Sequence, residues 1–180
     1  MDELRAAQAA GRWAKPEFAD LRVPLRELRD LRLGVFGLGG IGAAIGRRGL
    51  ALGMSVAGVR RRTARGGPPG IRWVGGLADL PRLAAESDCF VIAAPHTAET
   101  AGAVTRGVLE LLPAGAIVVN VSRGSLLDEA ALLTLLDAGR LRGARRLRHR
   151  AAAAGAPVLD ASPRAREPAR RGGDGALLGA

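Results

Sequence analysis

Tyrosine is absent from this chain of 180 residues, and three phenylalanines and two tryptophans are its only aromatics. Aliphatic side chains and alanine must therefore fill any core. A single cysteine, Cys89, excludes an intramolecular disulfide and a thiolate metal cluster, which suits a reducing compartment. No basic stretch followed by an apolar one opens the chain as a signal peptide would, and no apolar run is long enough to cross a bilayer. A soluble, cytoplasmic protein with no membrane partner is the expectation. Lysine is almost missing as well: Lys15 is the only one among 27 basic residues. Arginine in place of lysine, beside abundant alanine and glycine, looks like the codon bias of a GC-rich genome. The net charge of +10 raises the question of nucleic acid. Aromatic residues interleaved with the basic ones are lacking, as is any helix-turn-helix or RNA-binding signature, so nucleic acid is not the expected partner. The charge is also uneven, because eight arginines beyond position 143 face only Asp160, Glu167 and Asp174.

What is present is ordinary for a globular domain: 48% hydrophobic and 24% charged residues at a length suited to one core. Met1 to Ala10 has helical composition and ends at Gly11; Trp13 to Asp30 is a linker broken by Pro16 and Pro24. Strands are expected at Leu33 to Phe36, Ser55 to Val59, Ile71 to Val74, Cys89 to Ala93 and Ala116 to Val121. Helices are expected at Ile41 to Leu52, at Leu77 to Glu86 with Pro81 in its first turn, and at Thr105 to Leu112. A last one starts from Asp128 as N-cap and runs to Ala138, with Gly139 just past its end. Short apolar strands alternating with helices imply a parallel sheet covered on both faces, the Rossmann-type doubly wound α/β architecture.

After Gly143 that pattern dissolves. Ala144 to Ala180 carries arginine clusters, an alanine run and scattered proline and glycine, which reads as a disordered basic tail with a frayed helix near Arg145 to Ala154. The chain thus divides into a connecting helix and linker at 1–31, a dinucleotide-binding domain at 32–143 and the tail at 144–180. The break is abrupt, and alanine, arginine, glycine and proline are the residues with the most GC-rich codons. A shifted reading frame accounts for both facts. The expected consequence is a sheet incomplete on its C-terminal side, with Ala116 to Val121 as an exposed apolar edge.

The sequence from Gly37 to Gly42 reads GLGGIG and contains G-x-G-x-x-G at Gly37, Gly39 and Gly42, after an expected strand and opening an expected helix. Gly37 permits the tight turn, Gly39 lets a pyrophosphate approach the backbone, and Gly42 lets the helix pack on the strand. With Leu38, Gly40 and Ile41 they form a phosphate-binding turn, where the helix N-terminus offers free N–H groups. An acidic residue about 20 positions further on would bind the ribose of NAD. Here Val59 is followed by Arg60, Arg61, Arg62 and Thr63. Three guanidiniums suit a 2′-phosphate, which favours NADP over NAD. The other reading of these arginines is a solvated turn in an arginine-rich protein.

Three segments in order, GLGGIG at Gly37, APHTAET from Ala94 to Thr100, and VNVSRGSLLDE from Val119 to Glu129, resemble signatures of the D-isomer-specific 2-hydroxyacid dehydrogenases. The likeness spans about Leu28 to Gly143. It implies a nicotinamide cofactor, a small 2-hydroxy or 2-keto acid as substrate, and a homodimer. It also implies that Arg123, in the Ser-Arg-Gly segment, holds the substrate's carboxylate and carbonyl. A planar guanidinium at the carboxyl end of a strand is chemically suited to that task. Pro95, His96 and Thr97 are implied to lie beside the nicotinamide ribose, and Ala94, Thr100, Val121 and Ser122 to contact the cofactor as well, with Asn120 and Ser122 supporting the turn. His96 is a contact residue rather than an acid/base group, and Cys89 is core filler inside an apolar strand.

The family also has a proton-transferring histidine and a glutamate that tunes it. Both should follow Gly143, yet Glu167 lies in an unmatched arginine-rich context and His149 sits between Arg148 and Arg150, where its protonated form is disfavoured. The family's separate substrate domain has no counterpart in this sequence. Two readings follow: a truncated or catalytically incomplete NAD(P)-dependent oxidoreductase, and a non-catalytic dinucleotide-binding module of sensor or corepressor type. A methyltransferase of similar fold would have no use for the Arg123 segment.

Overall fold

The computed structural model describes residues 2–12, 26–146 and 160–161. Residues 13–25 of the linker expected at 13–30, and all of the tail beyond 146 except 160–161, lie outside the described residues, as do His149 and Glu167. Helix α1 (Asp2–Ala9) comes first, and strand β1 (Arg32–Phe36), helix α2 (Gly40–Ala51), strand β2 (Ser55–Val59) and strand β3 (Trp73–Gly75) follow. Helix α3 (Leu80–Ala85), strand β4 (Cys89–Ile92), helix α4 (Arg106–Glu110), strand β5 (Ala116–Asn120) and helix α5 (Glu129–Asp137) complete the alternation. Strand β6 (Leu141–Arg146) and the two residues of β7 (Asp160–Ala161) end it.

The first six strands are parallel in the order β3-β2-β1-β4-β5-β6, and β7 pairs antiparallel with β6. The strands are nearly continuous apolar runs because both faces are covered. Successive residues of β1 and β4 go to opposite sides: Val35 and Val91 pack with Leu38, Ile45 and Leu50 on the α2 side. Phe36, Phe90 and Ile92 pack with Leu83, Val108, Leu109 and Leu132 on the side of α3, α4 and α5. Alanine and aliphatic residues do fill the core, as the shortage of aromatics requires. Helix ends follow the expected chemistry: Thr105 caps α4 by accepting from the Val108 N–H, and Asp128 caps α5 by accepting from the Ala131 N–H at 2.9 Å. Pro81 sits in the first turn of α3, preceded by a single 3₁₀ turn at Leu77–Asp79.

The C-terminal side differs from expectation. Arg145 and Arg146 belong to β6 rather than to a frayed helix, and β6 pairs along β5 from Ala116 to Asn120. Residues 116–120 are therefore an interior strand, not an exposed apolar edge. Half of its neighbour's residues are arginine and they carry no alternating pattern, so only pairing with β5 identifies it as a strand.

At the amino ends of the strands, Asp88 is 6% exposed and fully engaged. The Arg32 backbone N–H donates to it at 3.0 Å, Arg32 Nε at 2.8 Å and Arg26 Nη1 at 3.1 Å. Burial would raise its pKa, but these charge-assisted donors outweigh burial and hold it at about 2. Burial, with the Asp88 charge adding to it, pushes the Cys89 thiol up, which fits filler and not a nucleophile. On the outer side, Trp73 Nε1 donates to Glu86 at 3.0 Å and Arg82 lies 4.5 Å over the indole, tying α3 to β3.

Candidate functional site

The sheet order reverses between β1 and β4, and a cleft of about 550 Å³ opens there at the carboxyl ends of β1, β2 and β4. This is the position at which open parallel sheets take ligands, and the volume is in the range of small-molecule sites. The turn after β1 forms its floor. Gly37 has φ of 103°, and a Cβ there would lie 2.4 Å from the Ala94 nitrogen. A Cβ on Gly42 would lie 1.9 Å from the Gly37 carbonyl oxygen, so α2 meets the turn at backbone contact. Gly39 is different. It caps α2 with extended backbone, and a Cβ built on it meets nothing within 4 Å. The protein's own packing does not require that glycine.

The second wall is basic. Arg60, Arg61 and Arg62 line the cleft, and so does Arg65, which sequence reasoning did not single out. Arg60 is partly committed, since its Nη1 donates to the Gly66 carbonyl at 2.6 Å. The side chains of Arg61, Arg62 and Arg65 make no hydrogen bond or ion pair among the described residues. No carboxylate follows β2, as the sequence indicated.

The third wall is the segment after β4. Thr100 closes it as a turn: its hydroxyl donates to the Pro95 carbonyl at 2.6 Å and accepts from the Thr97 N–H at 2.9 Å. Ala94, Pro95, Thr97, Glu99 and Thr100 face the cleft. Glu99 lay within the APHTAET segment but was not singled out, and nothing in the sequence pointed to Leu77, which follows β3 and lines the cleft. His96 is exposed and does not line the cleft.

Beside that wall stands the turn after β5. Asn120, 3% exposed, accepts from the Ser122 N–H at 2.9 Å and donates to the Arg123 carbonyl at 3.1 Å. The Ser122 hydroxyl donates to the Ala94 carbonyl, which pins the β5 turn to the cleft wall. Arg123 is exposed, with no side-chain partner among the described residues, and stands outside the cleft lining together with Val121 and Ser122. Gly40, Ile41, Gly42 and Thr63 also stand outside it; Ile41, on the first turn of α2, is 61% exposed. Among the described residues, no group of histidine, cysteine and carboxylate side chains is placed to hold a metal ion. No helix among them is long and apolar enough to cross a membrane.

Comparison with known proteins agrees with this geometry. The family profile described as D-isomer specific 2-hydroxyacid dehydrogenase, NAD binding domain, matches residues 1–146. D-3-phosphoglycerate dehydrogenase of Archaeoglobus fulgidus is 35% identical over 136 residues, covering 74% of this chain and 24% of its own length. Glycerate dehydrogenase of Methylorubrum extorquens is 32% identical over 135 residues, with 74% of this chain and 40% of its own covered. Among solved structures, a D-isomer specific 2-hydroxyacid dehydrogenase from Xanthobacter autotrophicus Py2 in complex with NADPH and MES superposes with a TM-score of 0.69. It is 32% identical, and the match covers 89% of this chain and 48% of that one. The chain thus spans less than half the length of each of these relatives.

Proposed function

The chain belongs to the D-isomer specific 2-hydroxyacid dehydrogenase family through its NAD-binding domain, and we propose that it takes NADP in preference to NAD and presents Arg123 to a small 2-keto or 2-hydroxy acid. The observation that carries this reading is the cleft itself. Its floor leaves open space over Gly39, and its basic wall carries guanidiniums with no acceptor of their own.

A bound nicotinamide supplies the hydride, or accepts it in the reverse direction. The remaining work falls to the protein. The turn at 37–42 brings backbone N–H groups to the pyrophosphate. Arg61 and Arg62 offer bidentate, charge-assisted bonds to a 2′-phosphate. Arg123 grips the acid's carboxylate, and Asn120 and Ser122 fix the turn that carries it. The related structure holding NADPH is consistent with the cofactor choice.

Fluorescence titration is expected to show NADPH binding more tightly than NADH. Arg61→Ala and Arg62→Ala should each weaken NADPH by about tenfold, the value of one exposed charge-assisted bond. Tighter binding of NADH by the unmodified chain would overturn the NADP assignment.

Proton transfer is the weaker half of the chemistry. His96 is the one histidine among the described residues, and it is exposed outside the cleft. A positioned proton donor contributes about 10²–10⁴-fold. Reduction of glyoxylate, hydroxypyruvate or pyruvate by this chain should therefore be slower than usual enzymatic turnover by about that factor. The same observation favours a second reading, a module that senses a dinucleotide without turning it over. Turnover at an ordinary rate that disappears in Arg123→Ala would exclude that second reading and require a proton donor other than His96 in its observed position.

A further inference from the structure

The loop from 60 to 66 holds more than the run of arginines that the sequence displays. Arg60 is anchored at both ends: its backbone N–H donates to the Gly75 carbonyl at 2.9 Å, and its Nη1 reaches across the loop to the Gly66 carbonyl at 2.6 Å. Between those points the chain makes one 3₁₀ turn at Thr63–Arg65, closed by the Gly66 N–H to the Thr63 carbonyl at 2.9 Å. Gly66 has φ of 58°, the left-handed region that favours glycine, and it ends the turn. The turn carries Arg65 back to the cleft wall beside Arg61 and Arg62. One carboxylate, Glu99, lines the cleft from the segment after β4, and no ion pair among the described residues joins it to these arginines.

Four arginines in one loop therefore have two different environments. Arg60 spends its guanidinium on the loop's own backbone, whereas Arg61, Arg62 and Arg65 have no internal acceptor. A phosphate monoester carries about −1.5 to −2 charges and three strong acceptor oxygens, more than one guanidinium satisfies. We propose that Arg65 is a direct member of the 2′-phosphate subsite and that Arg60 is a positioning residue, closing the loop that presents Arg61, Arg62 and Arg65. This inference rests on the NADP reading above and adds a residue that stands apart from the Arg60 to Arg62 run.

The test uses the full chain, with NADPH, NADH, adenosine 2′,5′-bisphosphate and adenosine 5′-phosphate as probes. Arg65→Ala should raise the NADPH dissociation constant about tenfold more than the NADH constant, and shift the two adenosine phosphates in the same ratio. Arg65→Glu should act in the same direction and more strongly. Arg60→Ala should instead weaken NADPH and NADH together and speed trypsin cleavage between 60 and 66. Arg60→Lys, which keeps a donor for the Gly66 carbonyl, should restore both. If the unmodified chain prefers NADPH but Arg65→Ala lowers both cofactors equally or not at all, the Arg65 assignment falls alone. If it prefers NADH, the NADP reading falls and takes this assignment with it. An Arg60→Ala chain that loses affinity for NADPH only, with no change in trypsin cleavage, would make Arg60 a phosphate contact and overturn its positioning role.

Discussion

Gly39→Val is expected to reduce dinucleotide binding by more than about a hundredfold while the protein stays folded. The two halves of that expectation have separate physical grounds. Gly39 has φ of −82° and ψ of −159°, extended backbone in which valine is at ease, and a Cβ there meets no atom within 4 Å. Valine should therefore leave the fold in place. On the proposed dinucleotide reading the same open space receives the pyrophosphate at the N-terminus of α2, and three added carbons would fill it. Gly42 supplies the control. A Cβ at Gly42 would stand 1.9 Å from the Gly37 carbonyl oxygen and 3.0 Å from Val35. Gly42→Ala should therefore cost about 1–3 kcal/mol of stability, as overpacking does. Circular dichroism and a urea melt separate the two outcomes from binding measured by NADPH fluorescence. A folded Gly39→Val chain that binds NADPH as before would move the phosphate site elsewhere.

This contrast between the two glycines shows what kind of information the sequence carried. The turn at Gly37 was legible because its constraint is on the backbone: φ of 103° and a neighbour at 2.4 Å require glycine in any context. The strands around it were legible for a related reason, since burial on both faces turns β1, β4 and β5 into apolar runs. Strand β6 was not. Residues 142–146 show no apolar alternation, and their place in the sheet comes from pairing with β5. Arg65 was hidden by a different mechanism, because a single 3₁₀ turn returns it to a wall that linear distance from β2 does not suggest. The contact between Ser122 and Ala94, 28 positions apart, likewise depends on two strands lying side by side. Residue types mark where a backbone is constrained, whereas meetings between distant loops follow only once the sheet order is known.

The same limit applies to Asp88, whose partners Arg32 and Arg26 are 56 and 62 positions away and whose role is measurable by acid. Its pKa falls from an ordinary 3.8 to about 2 in the folded protein. Well above pH 4 the carboxylate is ionised in both folded and unfolded chains, and the stabilisation is complete. As pH drops from about 4 to 2 the unfolded chain takes up a proton first, so stability declines. Below about 2 both states are protonated and the contribution is gone. A fall of that size on a group this buried corresponds to about 2 kcal/mol, a large share of the roughly 5–15 kcal/mol that holds a typical domain together. Asp88→Asn removes the charge at every pH. Its amide oxygen can still accept from the Arg32 backbone N–H, and the Arg32 and Arg26 side chains, 42% and 45% exposed, regain water. The cost at pH 7 should then be about 2 kcal/mol, the contribution of the charge itself. Glu86 is also held below the ordinary carboxylate range, first by its hydrogen bond from Trp73, so the difference between the two proteins is the informative quantity. Urea midpoints at pH 7, 4, 3 and 2 should show that difference large at pH 7 and 4, then shrinking toward pH 2. A difference that stays constant across that range would mean Asp88 contributes through packing rather than through its charge.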